Sequence, residues 1–229
     1  MRLAALYDIH GNLPALDAVL AEVPADLILV GGDVVAGPWP SETLERLREL
    51  GDGVRFIRGN ADREVTSELP GLAPPAVMDF VRKRLSEEQI ELLGSWPLTK
   101  SIEVDGLGSV LFCHATPRRD DEILTRISAD ERWRDALAGV DEPTVVCGHT
   151  HVQFDRRIGN IRVVNSGSVG MPYEDEPGAY WTLLGPDVEL RRTDYEPGDL
   201  QATDWPEEWP TATPEAATEF FEGLSLGQA

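Results

Sequence analysis

Short apolar runs alternate with helix-spaced segments in the first 60 residues of the chain. Each run is four or five residues long and is bounded by polar residues, which predicts a buried strand. The runs are Leu3–Tyr7, Leu27–Val30 and Val54–Ile57. Between them, residues 14–22 and 41–50 place Leu or Val every three or four positions, which predicts two helices, with Pro14 in the first turn of one and Ser41 as the cap of the other. Strands that alternate with helices predict a parallel sheet with right-handed crossovers.

The pattern changes after about residue 95, where short strand-like runs replace most of the helices. Residues 75–94 predict two helical pieces, the second beginning at Ser86, and residues 122–139 predict one more helix. The strand candidates, separated by turn residues, are Ser101–Val104, Val110–Cys113, Thr144–Cys147, Val152–Arg156, Ile161–Asn165, Tyr180–Leu184 and Val188–Arg191. An α/β first half followed by a strand-rich second half predicts a core of two sheets with helices outside.

Negative charge is concentrated towards residue 229. The formal net charge is −21, and residues 173–229 carry −12 of it, with 14 acidic and 2 basic residues. We expect a domain over residues 1–195 and an acidic, proline-containing tail over residues 196–229 that wraps on the domain or trails from it. The aromatic residues Trp205, Trp209, Phe220 and Phe221 predict that parts of the tail pack, and a short helix is expected over Glu215–Gly223.

Length and composition exclude several classes of protein. A chain of 229 residues that is 41% hydrophobic can bury a core and is not disordered. Two cysteines are too few for a disulfide framework, and we expect Cys113 and Cys147 to be buried, inert thiols. With no leader-like start and no apolar stretch of about 18 residues, a cytoplasmic location without a membrane span is expected. The acidic balance argues against duplex nucleic acid and anionic membranes as partners.

Polar side chains follow five of the predicted strands, at the point where each strand ends. The clusters are Asp8-Ile9-His10-Gly11-Asn12, Gly31-Gly32-Asp33, Gly59-Asn60-Ala61-Asp62, Cys113-His114 and Gly148-His149-Thr150-His151. Ligands of α/β sheets bind at the carboxyl ends of strands, so we expect the five clusters to converge on one site. All four histidines of the chain lie in these clusters, which a role in packing does not explain.

The clusters supply oxygen and imidazole donors without a thiolate. These donors are Asp8, His10, Asp33, Asn60, His114, His149 and His151. Such a set suits Mn, Fe, Zn, Co or Ni better than a soft metal. Seven donors are too many for one ion, and they suit two ions about 3.5–4 Å apart that share a bridging carboxylate. Each short motif alone is ordinary turn chemistry. Their combination predicts a dinuclear centre of divalent transition metals.

In this order, the motifs resemble those of the calcineurin-like metallophosphoesterases. The family pattern is Asp-x-His, Gly-Asp, Gly-Asn-His-Asp/Glu, a His after a strand, and Gly-His-x-His, and it matches the chain from residue 3 to about residue 192. The variant at residues 8–12, with Asn165-Ser-Gly-Ser after the last motif, is similar to small prokaryotic members related to the YfcE-type phosphodiesterases and the diadenosine tetraphosphatase group. The resemblance implies a four-layer αββα sandwich, in which two facing mixed β-sheets are flanked by helices.

The resemblance also implies ligand roles and a reaction. Asp8, His10 and His151 would hold the first ion, Asn60, His114 and His149 the second, and Asp33 would bridge them. A hydroxide bridging two ions, with Mn the expected metal, would attack phosphorus in line, and the catalytic residues would be Asp33, Asn60 and His114. The expected activity is hydrolysis of a small phosphodiester or a nucleotide anhydride. The alternatives are a phosphomonoesterase or protein phosphatase, and a non-catalytic adaptor on the same fold.

One position departs from the family pattern. Ala61 stands where the protein phosphatases of the family have a His that is thought to protonate the leaving group. We therefore expect either a substrate with a good leaving group, such as an aryl ester or a nucleotide anhydride, or an acid from elsewhere. Asp62 is one candidate acid, although a turn-stabilising carboxylate is the preferred interpretation. The same alanine favours a phosphodiesterase over a protein phosphatase.

Three further features have two interpretations each. Asn12 either contacts a substrate phosphate or caps the helix that follows it. Arg118 either holds a substrate phosphate or pairs with Asp120 or Asp121 at the surface. Residues 63–95 form a helical insertion, which is either a candidate lid over the site or a contact between copies in a homo-oligomer, with its charged side chains on a solvated face.

Overall fold

The three predicted N-terminal strands and two later ones build the first sheet of the computed structural model, which describes residues 1–67, 71–198, 204–206 and 214–227. Its strands are β1 (Leu3–Leu6), β2 (Leu27–Val30), β3 (Val54–Phe56), β9 (Ala179–Leu184) and β10 (Val188–Thr193). Their spatial order is β10-β9-β1-β2-β3. β1, β2 and β3 run parallel, as predicted, and β9 and β10 add an antiparallel edge.

The second sheet has the same size and a similar plan. Its strands are β4 (Thr99–Val104), β5 (Gly108–Cys113), β6 (Thr144–Cys147), β7 (Phe154–Ile158) and β8 (Ile161–Asn165). They lie in the order β4-β5-β6-β8-β7, with β5, β6 and β8 parallel and both edge strands antiparallel. β7 begins two residues later than predicted. His151 adopts a left-handed backbone with φ 59°, so the chain becomes extended only after the loop that holds it.

Helices cover the outer faces of both sheets. They are α1 (Leu13–Glu22), α2 (Pro40–Arg48), α3 (Asn60–Thr66), α4 (Pro75–Arg84), α5 (Glu87–Ser95), α6 (Asp130–Ala136) and α7 (Pro214–Gly227), with a 3₁₀ turn at Gly51–Gly53. None of these helices combines the length and the apolar character needed to cross a bilayer.

Four sequence predictions about the helices need correction. Ser41 is not the cap of α2, because the helix begins at Pro40, whose fixed φ suits a first turn. α3 was not predicted, since its first residues belong to a motif interpreted as a turn. Only α6 forms within the helix predicted over residues 122–139. The Oγ of Ser128 accepts a hydrogen bond from the backbone N–H of Thr125, and such local bonds compete with helix formation. α7 is longer than the predicted Glu215–Gly223.

Alternating side chains of the strands build three apolar layers. In β1, Ala4 and Leu6 face helices α1 to α5, whereas Leu3 and Ala5 face the second sheet. In β5 the alternation continues, and Leu111 packs with Trp133 of α6 on the other outer face. Side chains on a strand point to opposite faces in turn, so each sheet contributes to two layers. The predicted four-layer αββα sandwich is confirmed.

The segment 63–95 is built into the helical layer of the first sheet. Val77, Val81 and Leu93 are fully buried in its core. The guanidinium group of Arg82 donates hydrogen bonds to the carbonyl oxygens of Glu64, Val65 and Ser67 at the end of α3. The half-buried Arg82 therefore anchors α4 to α3, whereas Lys83 and Arg84 are exposed, as was expected of the charges in this segment. Within the tail, Trp205 packs edge-on against Phe80 with ring centroids 5.0 Å apart, and Trp209 lies outside the described residues.

Replacing Arg82 tests how firmly α4 holds α3. We expect Arg82→Ala to lower the free energy of unfolding by about 2 kcal/mol, because several charge-assisted hydrogen bonds to carbonyl oxygens are lost. The exposed neighbour provides a matched control, and Lys83→Ala should change stability by less than about 0.5 kcal/mol. Urea unfolding followed by circular dichroism measures both. Equal stability of the two variants would contradict the anchoring role of Arg82.

Candidate metal centre

Five of the seven predicted ligands adopt a left-handed backbone conformation. They are Asp8 (φ 53°), His10 (φ 47°), Asp33 (φ 53°), His149 (φ 67°) and His151 (φ 59°). Among the described residues, one other non-glycine residue, Asp204, has a positive φ. This conformation costs a residue with a Cβ about 1 kcal/mol or more, and such strain clusters at functional sites. The backbone at these strand ends is therefore shaped to aim side chains inward.

Three of these side chains converge from β1 and β6 to form what we call the Asp8 group. It consists of Asp8, His10 and His151, whose donor atoms all lie within 4.8 Å of one another. The Nε2 of His151 lies 3.3 Å from Asp8 Oδ1 and 3.2 Å from His10 Nε2. The three side chains are buried.

A second set, the Asp33 group, lies beside the first. It consists of Asp33, His114 and His149, again with donor atoms within 4.8 Å of one another and all three residues buried. Asp33 Oδ2 is 3.4 Å from His114 Nε2 and 3.9 Å from His10 Nε2, so this carboxylate stands between the two groups. The Oδ1 of Asn60 lies 3.2 Å from His114 Nε2. All seven predicted donors therefore come together in one place.

Hydrogen bonds on the outer side of the imidazole rings fix which nitrogen faces inward. The Nδ1–H groups donate to backbone carbonyl oxygens: His10 to Ala36 at 3.2 Å, His114 to Gly31 at 2.8 Å and His151 to Met171 at 2.6 Å. A neutral imidazole anchored in this way presents the lone pair of Nε2 to the site, as ligating histidines do. The lone pairs of the inward nitrogens of His10 and His151, only 3.2 Å apart, repel each other unless a proton or a metal ion lies between them.

Two buried donor atoms have no hydrogen-bond partner in the part of the chain that the structure describes. These atoms are Asp8 Oδ1, in the first group, and His149 Nε2, in the second. A buried polar atom without a partner is costly, and a bound ion is one way in which native proteins satisfy it. The donor chemistry fits divalent transition metals, since it combines imidazole with carboxylate and amide oxygen.

The charge states of the donors also suit cations. Burial lowers the pKa of His10 and of His149 to about 4, so both rings are neutral at pH 7. For Asp8 and Asp33, burial opposes ionisation, but the neighbouring histidines outweigh it and lower the pKa of both carboxyls. Burial also opposes the charged form of His114, yet the two carboxylates prevail and raise its pKa to about 10. Two anionic groups thus lie close to the neutral rings of His10 and His149, a setting that attracts positive ions.

The carboxylates of Asp8 and Asp33 each accept a backbone hydrogen bond through one oxygen, and the other oxygen of each faces the site. The backbone N–H of Ala61 donates to Asp33 Oδ1 at 2.7 Å, and that of His149 donates to Asp8 Oδ2 at 2.8 Å. Glycines allow this close approach, because a Cβ on Gly59 would collide with the carboxylate of Asp33, and one on Gly148 with that of Asp8.

The family assignment rests on the sequence around this centre. The profile of the calcineurin-like phosphoesterase superfamily domain matches residues 1–184, which is four-fifths of the chain. The chain is a calcineurin-like phosphoesterase. This confirms the family that the order of the motifs indicated.

Named relatives of this phosphoesterase include two kinds of bacterial enzyme. Phosphodiesterase YfcE of Escherichia coli K12 is 27% identical over 198 residues, which cover 80% of this chain and 87% of YfcE. The symmetrical bis(5′-nucleosyl)-tetraphosphatase of Klebsiella pneumoniae is 30% identical over 131 residues, which cover 54% of this chain and 46% of the tetraphosphatase. The chain thus matches less than half of the second relative.

A solved structure supports the fold over almost the whole phosphoesterase. The metallophosphoesterase from Sphaerobacter thermophilus superposes with a TM-score of 0.75 at 27% identity, covering 95% of this chain and 99% of that one.

Two further residues of the phosphoesterase had two interpretations each. Asn12 caps α1, since its Oδ1 accepts from the N–H of Ala15 at 3.2 Å, and its Nδ2 donates to the carbonyl oxygen of Gly170 at 2.9 Å. Arg118 lies in a separate surface depression and pairs with Glu122 and Asp135 at 2.6 and 2.7 Å. The expected partners of Arg118 were therefore wrong. A role of either residue in binding substrate stays a prediction.

Arg63 instead occupies the carboxylates that were expected to pair with Arg118. Its guanidinium group lies 2.9 Å from Asp120 and 3.5 Å from Asp121.

The thiols of Cys113 and Cys147 are free and buried on the α6 side of the second sheet, as predicted. Burial raises the pKa of both thiols.

Sequence reasoning missed two aromatic residues that line the cavity over the centre. Tyr173 stacks on His151, with ring centroids 4.6 Å apart, and Phe221 of α7 lies beside both. Tyr173 follows the Asn165-Ser-Gly-Ser motif by only a few residues, which is the one indication that the sequence offers. Phe221 was expected to pack against some part of the domain. Its partner His151 lies 70 residues away in the chain, and no local pattern indicates that the two side chains meet.

Asp62 is a structural carboxylate that joins two of the loops. It is fully buried and accepts hydrogen bonds from the backbone N–H groups of Asp33, Val34 and Gly59, at 2.8, 2.9 and 3.0 Å. The turn-stabilising interpretation is confirmed. Burial, with the charge of Asp33, raises the pKa of Asp62 to about 6.

Removing this carboxylate should loosen the centre. We expect Asp62→Ala to lower the free energy of unfolding by about 3 kcal/mol, because three buried N–H groups lose their acceptor, and to reduce the bound metal measured by mass spectrometry. Asp135→Ala is the control, because its carboxylate is 72% exposed and it should cost less than about 1 kcal/mol. Loss of activity with unchanged stability and metal content would instead make Asp62 an acid in the reaction.

Proposed function

We propose that this protein hydrolyses a small phosphodiester, or a phosphate anhydride of a nucleotide, at a centre that holds two divalent metal ions. The observation that carries the proposal is the pair of adjacent buried donor groups, each with an inward atom that lacks a hydrogen-bond partner. The names of the relatives support it, because one is a phosphodiesterase and the other a nucleosyl tetraphosphatase.

Each donor has a role in the proposed centre. The Asp8 group would hold the first ion, His114, His149 and Asn60 would hold the second, and Asp33 would bridge the two. Mn²⁺ is the proposed metal, and Fe, Zn, Ni or Co suit the same donors. When bound, the ions supply stabilisation of the charged phosphoryl oxygens and activation of water.

The protein's own contribution is to hold these donors rigidly and away from bulk water. The carbonyl anchors on the histidines prevent the rings from turning, and the N–H of Ala61 fixes the plane of the Asp33 carboxylate. Preorganised groups of this kind do not need to reorganise during the reaction, which is the main source of electrostatic catalysis. Asp33, Asn60 and His114 are the proposed catalytic residues because they lie where the two ions would meet.

The walls of the cavity favour a diester over a monoester. Beyond the donors and α7, the cavity is lined by small, apolar or aromatic side chains, namely Ala36, Ala61, Leu72, Ala73 and Tyr173. A diester carries one negative charge and two organic groups, so an apolar wall suits the part of it that is not bound to metal. A monoester presents additional charged oxygen to the same wall, at a cost in desolvation.

Hydrolysis of bis-p-nitrophenyl phosphate tests the function directly. We expect activity that requires Mn²⁺, is lost on treatment with a chelator, and falls by at least about 10³-fold in Asp33→Ala, because both ions lose a shared ligand. Asp52→Ala is the matched control, since Asp52 is an exposed aspartate in a surface turn, and it should leave the rate unchanged. A faster rate on p-nitrophenyl phosphate would indicate a monoesterase. Metal-loaded protein that hydrolyses neither ester would indicate an adaptor.

The missing histidine gives a second prediction. The side chain of Ala61 lines the cavity, so a larger residue there points at the reacting groups. Ala61→His should raise kcat on alkyl esters, which are poor leaving groups, more than on aryl esters, by up to about 10²-fold, because it supplies a general acid. Ala61→Asn controls for added volume without an acid. An equal effect of histidine on both kinds of ester would exclude this account of the leaving group.

A further inference from the structure

Helix α7 lies across the opening of the metal centre, beyond the stretch that the family profile matches. Its inner face consists of Ala217, Phe221 and Ser225, spaced four residues apart, and Ala217 and Ser225 are buried against the domain. Phe220 and Leu226 point outward and are 58% and 65% exposed. The helix therefore has one side that contacts the domain and one that faces solvent.

Phe221 is the part of α7 that covers the donors. Its ring centroid lies 6.0 Å from that of His149, 6.4 Å from that of His151 and 5.9 Å from that of Tyr173. One residue of α7 thus contacts a histidine from each donor group. Together with Tyr173 it forms an aromatic layer directly over the proposed ions.

The cavity under this layer is too small for the proposed substrate. Its volume is about 50 Å³, which holds a few water molecules. Sites that enclose small organic ligands have volumes of roughly 300–1,000 Å³. A diester with two organic groups therefore cannot reach the donors while Phe221 keeps this position.

Besides the packing of Ala217 and Phe221, polar contacts hold α7 against the domain. Glu222 pairs with Arg126 at 2.8 Å, and the hydroxyl of Thr218 donates to the carbonyl oxygen of Tyr173 at 2.9 Å. Ser225 contacts Thr125 through its hydroxyl and Arg132 through its carbonyl oxygen. Arg126 is 51% exposed, and ion pairs this open to water are weak. Such contacts can break and re-form without disturbing the sheets.

We propose that α7 is a movable cover of the metal centre and that Phe221 must leave its place over His149 and His151 before a phosphate ester can bind. The inference rests on the proposed function in that the incoming ligand is a phosphate ester. The charge of the helix is consistent with this role, because Glu215, Glu219 and Glu222 give it three acidic residues and no basic one. In its closed position the helix presents negative charge to an anionic substrate.

Two adjacent phenylalanines allow a matched test. Phe221→Ala removes the ring over the donors, whereas Phe220→Ala removes an outward ring from the same helix. For each Mn²⁺-loaded variant, we would measure the rate at which a chelator extracts the ion and kcat/KM for bis-p-nitrophenyl phosphate. We expect Phe221→Ala to raise both rates by at least about threefold, as a shift towards the open state requires, and Phe220→Ala to leave both unchanged.

A second variant is expected to release α7 while leaving the ring of Phe221 unaltered. Arg126→Ala breaks the ion pair with Glu222, at a residue outside the centre, and should raise both rates in the same direction as Phe221→Ala. A fall in kcat/KM in Phe221→Ala would overturn the proposal, because α7 would then be part of the substrate site. Unchanged extraction in both variants would overturn it as well.

The extraction rate separates the two proposals. If Phe221→Ala accelerates extraction while none of the proteins hydrolyses any ester, the cover is supported and the proposed function fails. If the unaltered protein hydrolyses the diester but neither rate responds to Phe221→Ala, the function is supported and the cover fails.

Discussion

The burial of two carboxylates beside each other is the constraint on which the rest of the structure depends. Asp8 and Asp33 are 0% and 3% exposed, and both are ionised. Burying an anion costs several kcal/mol unless charge or hydrogen bonds compensate for it. One oxygen of each accepts a backbone N–H, and the inward faces of four histidines surround the rest. These groups compensate only in part, since Asp8 Oδ1 has no hydrogen-bond partner among the described residues, and divalent cations would complete the balance.

The donors come from both sheets, so the centre exists only when the sheets are packed together. Asp8 and Asp33 follow β1 and β2 of the first sheet, whereas His114 and the two later histidines follow β5 and β6 of the second. Tyr7 links the two sheets next to the site, because its hydroxyl, at the end of β1, donates a hydrogen bond to the carbonyl oxygen of Val146 in β6 at 2.9 Å. Metal binding and the docking of the sheets are therefore thermodynamically linked, since ions that bind only the folded arrangement stabilise it.

The predictable and the unpredictable parts of the molecule differ in the range of the interactions that determine them. The strands and their polar ends followed from local patterns, and parallel strands bring their carboxyl ends together, so all seven donors could be named. The predicted ends of helices were wrong where a single side chain determines them. Ser128, for example, accepts a hydrogen bond from the N–H of Thr125, and α6 begins only after it. The contact of Phe221 with Tyr173 joins positions 48 residues apart, and no periodicity encodes it. The predicted ion-pair partners of Arg118 were wrong for a related reason. Several acidic residues lie within reach of its side chain, and the local sequence does not determine which of them it pairs with.

The position of α7 over the metal centre suggests a role for the excess of acidic residues in the last part of the chain. More than half of the net charge of −21 belongs to residues 173–229, and α7, whose Phe221 lines the cavity over the centre, carries three of those carboxylates. Two divalent cations would bring four positive charges to the site that holds the carboxylates of Asp8 and Asp33, so the local field there would become positive. That field attracts the acidic helix and a phosphate ester alike. Cover and substrate therefore compete for the same charge, and a substrate that reaches the ions weakens the attraction that holds the cover in place.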